Sequence, residues 1–365
     1  LPQHFKNHGY YTQAFGKIYH GVFPEGSSKT VADTYGDPIS WSVPAYRPGP
    51  RYYYTENGIA AAKEAFQAMY SPVDPHPSEW TEKLVFGPMT EAPDVPDETL
   101  YDGLVAKRAT ETLRELAQKD QPFFLAVGFI KPHSPFIAPK KYWDLYDANE
   151  IDLALHQSAP DGAPKMALHG SGEIRRYTDQ PNKGVISEGN QRRMKHGYAA
   201  CISFIDAQVG KVLSELNQLG LRENTIVVLW SDHGYHLGEK NLWGKTTNFE
   251  LDTRVAMVVH APGRKGNGQA TNALVELVDL YPTLADLAEL PVSEHALQGK
   301  SFSAVLEDPS RSWKQAAFSQ FTRRGHRGYS LTDGRYRYTE WINLKSGDVA
   351  ERELYDHHVD PNEGS

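Results

Sequence analysis

At 365 residues, 39% hydrophobic and 23% charged, the chain has the size and mix of a globular protein with one large domain and a smaller one. A formal net charge of -8 and a pI near 6 give no electrostatic case for nucleic acid, and no apolar run is long enough to span a bilayer. The single cysteine, Cys201, excludes an internal disulfide and a multi-cysteine metal site. Tyrosine (20) and tryptophan (7) are plentiful, which suits carbohydrate contact and ordinary packing equally.

The opening "LPQHFKNHGYYTQAFGKIYHG" predicts a short helix, a stop at Gly9 and a strand running into Gly16-Lys17. Residues 21–98 are rich in Gly, Pro, Ser and Tyr with little periodicity, and read as long loops of the kind that shape a substrate cleft. From Asp97 to Gln118 the stripe Leu100, Leu104, Val105, Ala109, Leu113, Leu116 predicts a helix. "FFLAVGF" (123–129) reads as a strand buried on both faces, ending in the loop Lys131-Pro132-His133-Ser134-Pro135-Phe136. A helix follows over 190–219, with Ile202, Ile205, Val209, Val212 and Leu216 on its expected buried face and Gly220 as its stop. "TIVVLW" (225–230) and "RVAMVVHAPG" (254–263) are further strands, and "ELVDLYPTLADLAEL" (276–290) a further helix. This order predicts an α/β fold, a mostly parallel central sheet flanked by helices, with ligands beyond the carboxyl ends of the strands. Short strands after residue 310, with Asp333-Gly334 as a hairpin turn, predict a small antiparallel α+β subdomain, giving domains 1–310 and 311–365.

The chemistry concentrates in "LWSDHGYHLGEKNLWGKTTNFE", residues 229–250. Asp232 and His233 stand at a strand exit, where an oxygen and a nitrogen donor can turn toward one divalent ion. The same pair also fits a turn-capping Asp beside a half-buried His. Lys17 and Lys245 are point charges suited to an anion oxygen, although most lysines are simply solvated. His20 and His133 can hold or transfer a proton near neutral pH, although a lone loop histidine is more often structural. His236, His295, His326, His357 and His358 read as surface or structural residues. Gly170-Ser171-Gly172 lacks the third glycine and the flanking elements of a phosphate loop. Ser203 and Ser231 lack a nucleophile-elbow motif, and Cys201 in "AACISF" reads as a core thiol.

In chain order, "FKNHGYYTQAFGKIYHG", "PFFLAVGFIKPHSPF", "HGYAACISFIDAQVGKVL", "SDHGYHLGEKNLWGKTTNFELDTRVAMVVHAPG", "DLYPTLADLAEL" and "ELYDHHVDPNE" span essentially the whole chain. This succession resembles the formylglycine-dependent sulfatases of the alkaline phosphatase superfamily, and within them the iduronate-2-sulfatase branch and its bacterial relatives. The resemblance implies an alkaline-phosphatase-like fold, a calcium ion (or magnesium in its place), and a Cys or Ser oxidised to formylglycine, whose hydrate attacks the sulfur. It implies metal-ligand roles for Asp232 and His233 and sulfate-neutralising roles for Lys17 and Lys245. By the same carry-over His20 stands beside the formylglycine hydrate, and His133 stands near the leaving oxygen as a general acid. Tyr235 replaces the Trp that follows Asp-His-Gly in the iduronate branch, which leaves the sugar open. Tyr235, Trp243 and the basic residues Arg323, Arg324 and Arg327 are candidate substrate contacts. The basic cluster, which includes His326, reaches a uronate carboxylate in one reading and is a solvated charge run in the other.

The family's C/S-x-P-x-R nucleophile motif and its upstream pair of metal-binding Asp residues do not occur in these residues, and the chain opens at Leu1 rather than Met. The expectation is that an N-terminal segment supplies the nucleophile, its Arg, half the metal site and a central strand. It follows that the chain alone is inactive and leaves an apolar sheet edge uncovered. The expected partners are a sulfated carbohydrate and that segment or another protomer, and the resemblance implies a periplasmic, secreted or lysosomal setting. Two alternatives stand beside the sulfatase: a phosphodiesterase or phosphonate hydrolase of the same superfamily, and a non-catalytic sulfated-glycan-binding or split-subunit protein.

Overall fold

The computed structural model describes residues 1–19, 37–49, 53–70, 86–292 and 297–364. Its contacts fall into two units, Leu1–Asp152 with Ile174–Arg222, and Leu153–Glu173 with Glu223–Ser365.

The first unit runs α1 (Pro2–Asn7), β1 (Tyr11–Gly16), α2 (Glu56–Tyr70), β2 (Thr90–Glu91), α3 (Tyr101–Leu116), β3 (Phe123–Gly128), β4 (Phe136–Ile137), α4 (Lys140–Trp143) and α5 (Glu188–Gln218). β1 and β3 pair in parallel from Tyr11↔Phe123 to Gly16↔Gly128, and β2 pairs in parallel with β4. The apolar stripe of α3 does what its period predicts: Val105 and Ala109 are fully buried against Phe15 of β1. α2 departs from the expected loops. Its alanines and Lys, Glu and Gln favour a helix, and the Thr55 hydroxyl caps it by accepting from Gly58 N at 3.1 Å.

The buried face of α5 also differs from expectation. Met194, Gly197, Ala200, Cys201, Phe204 and Gln208 face inward, whereas Ile202 is exposed and Ile205, Val209 and Val212 are half-buried. Two residues explain the rotation. Gly197 lets Trp143 approach, since a Cβ there would sit 2.7 Å from the indole. Gln208 is buried because its amide donates to Asp97 Oδ2 at 3.1 Å and Phe204 O at 3.0 Å, a placement that apolar periodicity cannot register. Cys201 is a fully buried core thiol, its pKa pushed up to about 12 by burial.

The second unit runs β5 (Val227–Trp230), β6 (His236–Leu237), β7 (Trp243–Gly244), α6 (Glu250–Thr253), β8 (Met257–His260), α7 (Leu280–Leu287), α8 (Ser303–Glu307), β9 (Ala317–Arg323), β10 (His326–Thr332), β11 (Tyr336–Asn343) and β12 (Val349–Asp356). β9 to β12 form an antiparallel sheet, as expected, here a meander of order β12-β11-β10-β9, with Gly334 at φ +93° in the Asp333-Gly334 turn. Trp341 and Tyr355 from this sheet join Ala167, Leu242 and Phe249 in one core cluster. Val228, Met257 and Val259 pack on Leu280, Phe302 and Val305 in another.

β5 and β8 pair antiparallel. They are not buried on both faces as the apolar runs suggest, because Leu229, Trp230 and Val258 keep 46%, 46% and 62% of their surface exposed. Among the described residues β5 has β8 as its one strand neighbour, so much of the pair remains uncovered. β3 is likewise half-buried along its whole length. No helix among the described residues is long and apolar enough to cross a membrane.

Candidate functional site

In the first unit, β1 and β3 end side by side at Gly16 and Gly128. A Cβ on Gly128 would lie 1.8 Å from Lys17 O, and one on Gly16 would lie 2.1 Å from Gly128 O, so this approach of backbones requires glycine at both places. Lys17 N donates to Gly128 O at 2.9 Å. Lys17 and the loop that carries His133 therefore leave the same carboxyl edge of the pair. That loop is clamped from within: the Asp102 carboxylate accepts from Ile130 N (2.8 Å) and Lys131 N (3.0 Å), and Lys131 Nζ donates to His133 O (3.1 Å) and Pro135 O (2.6 Å). Burial lowers the Lys131 pKa and raises that of Asp102. His133 Nδ1 donates to Ser134 O at 2.7 Å, a bond that fixes the orientation of its ring. His20 lies outside the described residues.

The second unit gathers the other candidates on one ribbon. Asp232 follows β5 with its side chain 67% exposed, and His233 Nε2 lies 3.8 Å from Asp232 Oδ1. His233 Nδ1 donates to Gly234 O at 2.8 Å, the backbone support typical of a metal-binding imidazole. Two donor atoms 3.8 Å apart fit one calcium ion, whose oxygen ligands stand at about 2.3–2.6 Å. Asp232 and His233 would hold it, as two of the six to eight donors such an ion takes. β6 pairs with β7, His236 opposite Gly244, and Lys245 comes next. Lys245 Nζ lies 2.8 Å from Glu173 Oε2.

Residues 169–173, which include the Gly170-Ser171-Gly172 that fails as a phosphate loop, lie along this ribbon. Ser171 Oγ accepts from Trp243 N at 2.9 Å, and His169 Nδ1 accepts from Ser171 N at 2.9 Å. Burial, and then the nearby Arg323 charge, hold the His169 pKa down to about 4, so its ring is neutral at pH 7. His236, expected as a default surface or structural residue, is fully buried and bonded to Asp252. The sequence does not single out Glu173 or Asp252, because Lys245 and His236, with which they pair, lie 72 and 16 residues away.

Two candidate substrate contacts have structural tasks. Trp243 is 2% exposed, so no ring face is open to a sugar. The Arg323 guanidinium donates to Met166 O (3.3 Å), Ala167 O (3.2 Å), Thr246 O and Thr246 Oγ1 (3.2 Å), and its cation lies over Phe321. That fork is spent inside its own unit rather than offered to a uronate. Arg324, at φ +50°, occupies the β9–β10 turn, and Arg327 donates to Thr322 Oγ1 at 3.3 Å. Tyr235 is half-buried beside His236.

The mixed α/β fold with its C-terminal antiparallel sheet is that of the alkaline-phosphatase-like hydrolases. Phosphonate monoester hydrolase of Agrobacterium radiobacter superposes with a TM-score of 0.70 at 21% identity, covering 100% of this chain and 75% of that one. A protein solved in complex with its substrate D-glucosamine-2-N,6-O-disulfate superposes at 0.68 and 17% identity, covering 100% and 76%. Residues 1–290 match the family model described as Sulfatase, so the chain belongs to the sulfatase family. Residues 238–365 match the model described as N-sulphoglucosamine sulphohydrolase, C-terminal. Mouse iduronate 2-sulfatase is 32% identical over 410 aligned residues, spanning 94% of this chain and 70% of the relative.

Proposed function

We propose that the protein is a sulfatase acting on a carbohydrate sulfate ester, a 2-sulfated uronic acid or a related unit of a sulfated polysaccharide. The observation that carries this reading is the exposed Asp232–His233 pair, its imidazole oriented by Gly234, on the same ribbon as the ion-paired Lys245. The mouse relative's name supplies the uronate.

Hydrolysis breaks one S–O bond, passes the sulfuryl group to water and returns a proton to the sugar oxygen. When bound, a calcium or magnesium ion would draw charge from the sulfate oxygens, and formylglycine would supply the nucleophile. Asp232 and His233 are the chain's ligands for that ion. Lys245 and Lys17 neutralise sulfate oxygens as charge develops, and Glu173 keeps the Lys245 ammonium oriented. His133 delivers a proton from Nε2 to the leaving oxygen, its other nitrogen being held by Ser134 O. His20 retains the role beside the nucleophile that the resemblance gives it. No Cys or Ser here stands in a C/S-x-P-x-R motif, so the reading assigns the nucleophile to sequence outside these 365 residues and expects the isolated chain to release no sulfate.

The test compares the holoenzyme on a 2-sulfated uronate disaccharide, an aryl sulfate and an aryl phosphodiester. The sulfates should turn over fastest, and Lys245→Ala should lower kcat by about 100-fold or more, the scale of losing one charge-stabilising donor. Preferential hydrolysis of the phosphodiester would move the protein to the phosphonate-hydrolase side of the fold. Glycan binding without turnover would make it a binding protein. Sulfate release by the isolated chain, abolished by Lys245→Ala, would overturn the assignment of the nucleophile.

A further inference from the structure

The geometry points to Asp252 as a positioning residue for both functional ends of the 232–247 ribbon, an inference that rests on the sulfatase reading. Its carboxylate is 3% exposed. Oδ1 accepts from His236 Nδ1 at 2.9 Å. Oδ2 accepts from Thr247 N and Thr247 Oγ1, both at 2.7 Å. The main-chain oxygen of the same residue accepts from Gly234 N at 2.8 Å.

These contacts reach three separate points. Gly234 directly follows His233 and carries the oxygen that orients its ring. His236 sits opposite Gly244 in the β6–β7 pair, immediately before Lys245. Thr247 lies two residues beyond Lys245. α6 thus braces the metal-binding end, the middle and the sulfate-binding end of one ribbon through a single side chain and its carbonyl. The contact at Gly234 tolerates no side chain, since a Cβ there would lie 1.8 Å from Leu251 O.

The chemistry at the carboxylate demands an acceptor on both oxygens. The three groups facing it are a ring N–H, a backbone N–H and a hydroxyl, and all can donate at once only to a carboxylate. An Asn at this position turns an NH₂ toward one of those donors and breaks one side of the brace. Asp232 lies two residues before Gly234 on the same backbone. Metal ligands and charge-stabilising groups need to be held within about 0.5 Å. Loss of an outer support of this kind costs about 10–100-fold in metal affinity or activity.

The experiment uses the active holoenzyme and compares wild type with Asp252→Asn, Thr247→Val and Thr247→Ser. It reads three quantities: the calcium concentration that half-restores sulfate release after chelation, the calcium-induced rise in Tm, and kcat against KM for an aryl sulfate. Asp252→Asn should need about 10–100-fold more calcium, lose most of its calcium-induced Tm rise, and lower kcat more than it changes KM. Thr247→Ser, which keeps the hydroxyl, should behave as wild type, and Thr247→Val should show a smaller loss of the same kind. Wild-type calcium requirement and kcat in Asp252→Asn would overturn the inference. If Asp252→Asn fails to fold, equal calcium requirement in Thr247→Val and Thr247→Ser overturns it instead. A wild-type holoenzyme that neither releases sulfate nor responds to calcium overturns the sulfatase reading, and this inference with it.

Discussion

At the scale of single residues, three imidazoles illustrate how burial and bonding divide similar side chains. His133 and His233 each give Nδ1–H to a backbone carbonyl, whereas His169 is half-buried and gives its Nδ1 lone pair to Ser171 N–H. Sequence alone put His133 and His233 in motifs but could not separate His169 from any solvated histidine, because burial is a property of what packs around it. His169 has a pH consequence. Its folded pKa of about 4 lies below its ordinary 6.5. The unfolded chain therefore takes up a proton that the folded one refuses, and the contribution present above pH 6.5 is lost as pH falls toward 4. The full window is worth about 3 kcal/mol. Urea midpoints between pH 7 and pH 4 should fall steeply in wild type and less steeply in His169→Gln, whose amide oxygen can still accept from Ser171. Identical slopes would remove His169 as the cause.

Between elements, the tie that holds α3 to α5 is polar as well as apolar. Asp97, just before α3, is 5% exposed. Its carboxylate accepts from Tyr142 Oη (2.9 Å), Gln208 Nε2 (3.1 Å), Lys211 Nζ (2.8 Å) and Lys141 Nζ (2.8 Å). Burial on its own would raise the Asp97 pKa; the bonds from Lys141, Lys211, Gln208 and Tyr142 outweigh it and hold the value at about 2. The depressed carboxylate contributes stability above its unfolded value near 3.8 that is lost as pH falls through about 2. Asp97→Asn should therefore cost about 2 kcal/mol at pH 7, with the difference from wild type shrinking below pH 4 in chemical denaturation. A neutral outcome at pH 7 would mean that the four donors find water as good a partner. The α3 stripe was legible because its partners are apolar and its period is 3.6. The face of α5 was not, because Gly197 and Gln208 decide it through contacts with Trp143 and Asp97.

For the molecule as a whole, the last residues act on the second unit from a distance in sequence. Arg337, 3% exposed, donates to Glu250 through Nη2 and is ion-paired with Glu363, Nε lying 3.0 Å from Oε1. Glu363 Oε2 in turn accepts from Glu250 N at 2.9 Å, and His357 Nε2 lies 3.0 Å from Oε1. Glu250, His357 and Glu363 come within reach of one cation, but the Arg337 guanidinium already occupies the space between the carboxylates as their counter-charge. Glu363→Ala should strand a buried arginine and cost about 3–5 kcal/mol in guanidinium unfolding, with Arg337→Met in the same chain recovering part of it. No recovery would mean that the loss lies in the Glu250 N to Glu363 bond instead. The Glu363 bond raises the His357 pKa, so that share of stability is complete below pH 6.5 and fades as pH rises through the folded value. By itself the sequence determined the α/β order of elements and the antiparallel C-terminal strands, through period and turn chemistry, and it carried the motif blocks with Asp232, His233, Lys245, Lys17 and His133 as residues adjacent in the chain. Only the tertiary structure decided that Trp243 and Arg323 face inward, that α5 buries Gln208, and that Asp252, His236 and Glu173 support the ribbon. Those outcomes depend on partners as far as 157 residues away, and a buried polar group is placed by whichever donor or acceptor meets it there rather than by its neighbours in sequence alone.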